Sequence, residues 1–259
     1  MNTAIQIRDA LAQVAQLHQR TAQQPLLMAA VHAVKRLQAQ RFAGSYADML
    51  QTGDQGYAPA ARFFMTELYG ARDYSQRDAQ FSRIAGTIEK LFPATVSALA
   101  LALAELHALS EELDHAMGCA WIAINKEAAS TVPMRNSLAF QAQTYTQSWR
   151  AVARQKDRHA QLRIVLGIGM ALGRLTQTLG LRSLIRMMRG PASAAGLRTL
   201  QTFMENGFDT FAALAKAPGG IHGFLGMIEA RESALMQLLF DTDAVTCETE
   251  LQRLLGQAP

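Results

Sequence analysis

Apolar residues in this chain recur at three- and four-residue steps over nearly its whole length, and that periodicity limits the fold more than any other feature. Leu26/Leu27, Val31, Val34 and Leu37 follow it, as do Phe81, Ile84, Ile88 and Leu91, and then Leu99, Leu103, Leu106, Leu113 and Met117 with one gap at Ser110. Such steps place side chains on one face of an α-helix. No stretch alternates polar and apolar residues long enough to form a sheet. The fold class is therefore all-α, a multi-helix bundle of roughly ten helices. The spacing predicts helices over roughly 3–23, 26–51, 59–69, 75–91, 94–123, 135–155, 157–179, 181–189, 191–216 and 220–239, with a short one near 246–255.

The punctuation agrees. Pro25, Pro59, Pro93, Pro191 and Pro218 stand where one helix would give way to the next, because proline fixes φ and needs no donor partner in a first turn. Gly70, Gly180 and Gly190 suit helix ends. Ser75-Gln-Arg-Asp78 reads as a variant capping box. No repeat at a solenoid period is present. We read residues 1–259 as a single helical domain, with a possible internal boundary near 125–133.

Cys119 and Cys247 are too far apart for a C-x-x-C site or a disulfide framework, which fits a reducing compartment. The N-terminus has no apolar core of a signal peptide. The best membrane candidate, Ile164 to Gly173, has only ten residues, against roughly 20 needed to span. The expectation is a cytoplasmic protein with no transmembrane segment.

Charge is unevenly distributed. Residues 1–133 carry a net −1, residues 134–200 a net +10 with Asp157 as their single acid, and residues 201–259 a net −5. In the basic block Arg163, Arg174, Arg182, Arg186, Arg189 and Arg198 alternate with Leu, Ile and Met. One reading pairs these arginines with the acidic C-terminal segment. Another makes Arg163, Arg174, Arg182, Arg186 and Arg189 the rim of an apolar pocket for a small amphiphilic anion, an acyl chain or lipid, since guanidinium donates bidentately and stays charged when partly buried. On this reading the chain is a binding protein rather than an enzyme. The alternatives are a regulatory module that docks an acidic partner or makes peripheral contact with a membrane surface, and a helical metal-dependent enzyme. Nucleic acid is disfavoured: Leu175 to Arg186 has only the rhythm of a helix-turn-helix, with Arg186 where that motif needs an apolar residue.

Catalytic motifs are absent. There is no G-x-S-x-G elbow, no P-loop, no H-E-x-x-H and no G-x-G-x-x-G after a strand. Glu112-x-x-His115 is half of a helical di-iron signature and lacks its second half. Glu111, Glu112 and His115 are weak metal candidates that fall off the apolar stripe of their helix, so the expectation is an exposed acidic helix end. The sequence selects no cofactor, and no single histidine stands out as a haem ligand.

Phe63-Phe-Met-Thr-Glu-Leu-Tyr69-Gly70-Ala-Arg72-Asp73-Tyr74-Ser-Gln-Arg77-Asp78 combines adjacent aromatics, a glycine stop and a capped helix start. Its aromatics should anchor a corner in the core, and Arg72 or Arg77 could line a pocket. This corner, with Pro191-Ala-x-x-Ala-Gly196-Leu-x-x-Leu200-Gln-x-Phe203-x-Glu205-x-Gly207-Phe-x-x-Phe211 and Ile228-Glu-Ala-Arg231-Glu232, resembles an uncharacterised family of all-helical proteins from proteobacteria. The resemblance implies a helical fold and no assigned activity. Ala192, Ala195 and Gly196 should allow a close helix approach, and mid-helix Gly207 should have a packing reason.

Overall fold

The computed structural model describes residues 2–51, 56–68, 73–127 and 137–258. Among them the chain is almost wholly helical and contains no strand. The elements are α1 (Thr3–Ala22), α2 (Pro25–Ser45), α3 (Ala47–Gln51), α4 (Ala58–Phe63, continued by a π-turn Phe64–Leu68), α5 (Ser75–Leu91), α6 (Ala94–Glu127), α7 (Leu138–Val152), α8 (Gln155–Thr176), α9 (Leu181–Met187), α10 (Arg189–Ala194), α11 (Arg198–Leu214), α12 (Gly220–Asp241) and α13 (Ala244–Gly256).

The 34-residue α6 is the axis of the bundle. It packs against α1, α2, α5, α7 and α8, while α12 lies on α8 and α7, and α13 returns to close on α7 and α2. Leu99, Leu106 and Met117 of α6 join the main core with Phe42, Phe64, Phe211 and Phe224. Each such side chain, fully buried, contributes about 1.5–3 kcal/mol of transfer free energy. A smaller core ties α1 to α5 and α6 through Ile7, Leu11, Ala85, Ile88 and Ala104. The possible boundary near 125–133 falls mostly outside the described residues, but the helices on either side of it, α6 and α7, pack on each other.

Close helix approaches are set by glycine. A Cβ on Gly44 would lie 1.8 Å from the Leu254 carbonyl oxygen, so α2 and α13 meet backbone to backbone. Gly169 and Gly173 of α8 leave room for Leu225 and Ile221 of α12. Gly207 faces the Phe63 ring, whose Cζ would be 3.2 Å from an added Cβ; this is the packing reason expected for a mid-helix glycine.

Two predicted helices are split. The segment 26–51 breaks at Tyr46, whose φ of −119° leaves the helix. The segment 191–216 breaks at Gly196, which has φ +69°. There the Leu197 amide donates to the Ala192 carbonyl and the Gly196 amide to the Ser193 carbonyl, the Schellman pattern that glycine completes at low steric cost. Gly196 therefore ends a helix, which corrects the expectation of a close approach through Ala195 and Gly196. The carbonyls of both accept from Arg83. The new N-terminus of α11 is capped from α5: the Leu200 amide donates to Gln80 Oε1 at 2.9 Å.

Ser75 also behaves differently from its prediction. It is the first residue of α5 and its amide donates to Asp73 Oδ1. Asp78, assigned to a capping box, instead turns inward to His107. As expected, Phe63 and Phe64 are buried; Phe63 stacks on Phe203 and meets Phe211 edge-on, and Phe64 packs on Phe211 and Phe224. No single helix among the described residues is long and apolar enough to cross a membrane; α8 with α9 and α10 passes by composition, but the pair bends by 93°.

Candidate functional site

Two cavities lie side by side in the bundle and share a wall made of Phe81, Leu103, Leu200 and Phe203. The apolar one has a volume of about 220 Å³. Its floor is Phe63, Phe64 and Phe211 below Leu99 and Leu103 of α6, and its roof is Leu181, Leu184 and Ile185 of α9, the Met188 that follows them, and Ala192 of α10. Of its lining only Thr87 and Gln201 have polar side chains. The roof is lightly held. No residue of α9 is buried, and Leu184 and Met188, which line the cavity, are also partly exposed on the outside. Helices with so little buried surface lie at the low-stability end of a fold.

The second cavity, of about 110 Å³, is lined by Lys35, Gln38, Arg41, Glu67, Arg77, Asp78, His107, Ser110, Glu111, Asp114, Arg158, Gln161 and Glu232 among aromatic and aliphatic walls. Buried charges persist only when paired or hydrogen-bonded, and most of these form couples. Arg41 Nη1 donates to Glu232 Oε1 at 2.7 Å with both side chains buried. Lys35 Nζ donates to Glu111 Oε1, whose other oxygen is 2.7 Å from His18 Nε2. His107 Nε2 is 2.7 Å from Asp78 Oδ2, and Arg77 is 3.6 Å from the same carboxyl's Oδ1. Arg77 also lies over the Tyr74 and Phe203 rings. Gln38 donates to Asp114 Oδ1, and Gln161 bridges Arg158 to Ser110.

The electrostatics of this cavity are uneven. Burial opposes ionisation of Glu111, but the His18 hydrogen bond and the Lys35 charge hold its carboxyl down at about 2. The hydrogen bond to Glu111 raises His18. Asp114, beside them, is pushed up by burial despite Lys35 and Arg158. Burial likewise raises the Tyr145 phenol.

The structure moves most of the predicted site residues. Arg182 and Arg186 bind Asp209, and Arg189 binds Glu205 with two nitrogens, so the cationic stripe of α9 is compensated by acids of the 201–259 segment. Arg163 and Arg174 are exposed on α8. None of these five arginines lines either cavity. Arg77 does line one; Arg72 lies outside the described residues. Glu111, Glu112 and His115 do not form an exposed helix end and do not converge. Glu111 is buried, Glu112 pairs with Arg154 at the surface and His115 Nδ1 is 3.0 Å from Thr21 Oγ1. The reason is that α6 is enclosed by five helices, so a residue off its leucine stripe still meets a neighbour. Among the described residues no group of three His, Cys, Asp or Glu side chains is placed to hold a metal ion.

Sequence reasoning missed Arg41, Asp114, Tyr145, Trp149, Arg158 and Glu232 as cavity residues. Nothing local in the sequence marked them, since each has a polar neighbour in the chain: Gln40, His115, Thr144, Arg150, Asp157 and Arg231.

Residues 17–246 match the family described as "Domain of unknown function (DUF8198)", and the chain belongs to it. No curated protein and no solved structure gives a significant match.

Proposed function

We propose that this member of a family of unknown function is a binding protein for a small amphipathic molecule, whose hydrocarbon part occupies the cavity under α9. The observation that carries this reading is that cavity: about 220 Å³, lined almost entirely by carbon, and roofed by a helix with no buried residue of its own. Small-molecule sites are concave and mainly apolar, with a few polar groups that fix orientation. Here the polar groups lie across one shared wall. The methionines that line it, Met188 and Met204, suit an adaptable apolar contact.

Ala192→Leu tests the reading. Ala192 is buried and lines the cavity from α10. Its replacement adds three carbons where space exists, at about 0.8 kcal/mol per buried carbon before strain. The ligand-free protein should melt at the same temperature or slightly higher. The rise in melting temperature that medium-chain fatty acids or alkanols give the wild type should shrink. Equal ligand-induced shifts in both proteins, or no shift in the wild type, would overturn the reading.

A second reading, docking of α9 on an anionic membrane surface, is favoured by Leu179 and Met187, which are 98% and 71% exposed beside Arg182 and Arg186. Co-sedimentation with phosphatidylglycerol vesicles but not with phosphatidylcholine vesicles is its expected result; equal sedimentation with both would count against it.

A further inference from the structure

Two donors on α7 face the polar cavity. Tyr145 and Trp149 stand one helical turn apart and are 2% and 6% exposed. Both line that cavity, yet the Tyr145 hydroxyl and the Trp149 indole N–H have no hydrogen-bond partner among the described residues. A buried donor left without an acceptor bears its full desolvation penalty, and native interiors leave few such groups. Two on adjacent turns, aimed into one space, mark a place where an acceptor sits.

The surroundings define that acceptor. The Arg158 guanidinium lies 4.1 Å from the Trp149 ring centroid, over its face, and Arg158 also lines the cavity. It therefore supplies positive charge on the same side as the two donors. Lys35, Arg41 and Arg77 are paired with Glu111, Glu232 and Asp78, and Arg158 donates to the neutral Gln161 amide. A multiply charged group such as a phosphate dianion would have to displace those couples, whereas one negative charge does not. Burial raises Asp114, so its carboxyl keeps a proton more readily and repels an incoming anion less. The Tyr145 phenol stays protonated, as a donor must. Beyond the shared wall of Phe81, Leu103, Leu200 and Phe203 lies the apolar cavity.

On the reading that the apolar cavity takes a hydrocarbon tail, we propose that the polar cavity receives the carboxylate head of the same molecule, a monocarboxylic acid, with the Tyr145 hydroxyl and the Trp149 Nε1–H as its two donors and Arg158 as its counter-charge. The ligand class is then a medium-chain carboxylic acid, and α7, rather than the arginines of α9, selects it.

Titration calorimetry of the full chain with octanoate, octanamide and octanol tests this, alongside Tyr145→Phe and Ala192→Leu. Octanoate should bind at least tenfold more tightly than the amide or the alcohol. Tyr145→Phe removes a donor that has no partner on the protein, so the variant should fold, and it should lose about tenfold in octanoate affinity while binding octanol as before. Propionate, too short to reach past the wall, should bind Ala192→Leu as it binds the wild type and should bind Tyr145→Phe more weakly. Equal binding of the three octyl compounds, with Tyr145→Phe silent, would overturn the head assignment and leave the tail reading standing. Binding of propionate with Ala192→Leu and wild type equal toward octanol would do the reverse. Failure of all four compounds to bind would sink both.

Discussion

The couple of Glu111 with His18 and Lys35 fastens α1 and α2 to the central helix, and its stability should depend on pH in a way that the geometry fixes. Glu111 is 5% exposed, with Lys35 Nζ 2.5 Å from one oxygen and His18 Nε2 2.7 Å from the other. Burial alone would raise its carboxyl; the His18 hydrogen bond and the Lys35 charge instead lower it from 4.5 to about 2. At 1.36 kcal/mol per unit, that depression corresponds to about 3 kcal/mol. By linkage, a group held below its unfolded value stabilises the fold above that value, so the Glu111 contribution is complete above 4.5 and is lost as the pH falls toward 2. His18 is displaced the other way. It is raised from 6.5 by the hydrogen bond to Glu111, so its contribution is complete below 6.5 and is lost as the pH rises through its folded value. The couple is therefore strongest between 4.5 and 6.5. Circular-dichroism melts of wild type, Glu111→Gln and His18→Gln across this range provide the assay. Near the middle of the window Glu111→Gln should cost about 3 kcal/mol, roughly 6 °C for a chain of this size. The difference between wild type and His18→Gln should be largest there and should close on the alkaline side. A His18→Gln difference that is the same at acidic and alkaline pH, or a Glu111→Gln cost below about 1 kcal/mol, would refute the account.

Three further outcomes follow from the packing. Gly44→Ala should cost about 3 kcal/mol, because its Cβ meets the Leu254 carbonyl oxygen at 1.8 Å; protease nicking within α13 would reveal the loosened contact, and a wild-type melting temperature would contradict it. Glu232→Gln should cost about 3 kcal/mol by leaving the Arg41 charge buried beside a neutral amide, and Arg41→Met with Glu232→Leu should recover most of that loss; additive losses in the double variant would show that the pair does not act as a unit. Changing Arg182, Arg186 and Arg189 to Gln together should leave both melting temperature and octanoate affinity close to wild type, since exposed ion pairs contribute little. Loss of binding in that triple variant would return the head site to α9.

Helix positions were legible because each depends on local spacing. Residues 75–91 and the start of α1 at Thr3 fall where periodicity places them, and the prolines at the first residue of α2 and within the first turns of α4 and α10 mark real starts. The breaks at Tyr46 and Gly196 were not legible, because each is decided by a distant partner. The Tyr46 ring packs on Phe42 and its hydroxyl reaches Glu232, 186 residues away. The helix start that follows Gly196 is capped by Gln80 from α5.

The site was harder to see for a reason that belongs to the central helix. Amphipathic periodicity assumes one wet face, and on that assumption the stripe Leu99–Leu106–Leu113 sends Glu111 to solvent. A helix enclosed by five neighbours has little wet face, so its polar residues become the lining of an interior cavity. Composition carried a trace of this: charged residues are 18% of the chain, below the usual roughly 25%, and several of them are buried in couples between helices far apart in sequence, as in Arg41 with Glu232. The basic block misled for the complementary reason. Net charge by segment shows where cations are concentrated but not what faces them, and α11 presents Glu205 and Asp209 directly to α9 and α10. An arginine paired at the surface and an arginine paired beside a cavity have the same spacing in sequence. What separates them is which helices surround each one, and in this bundle that places Arg77 and Arg158 at the cavity and leaves Arg182 and Arg186 outside it.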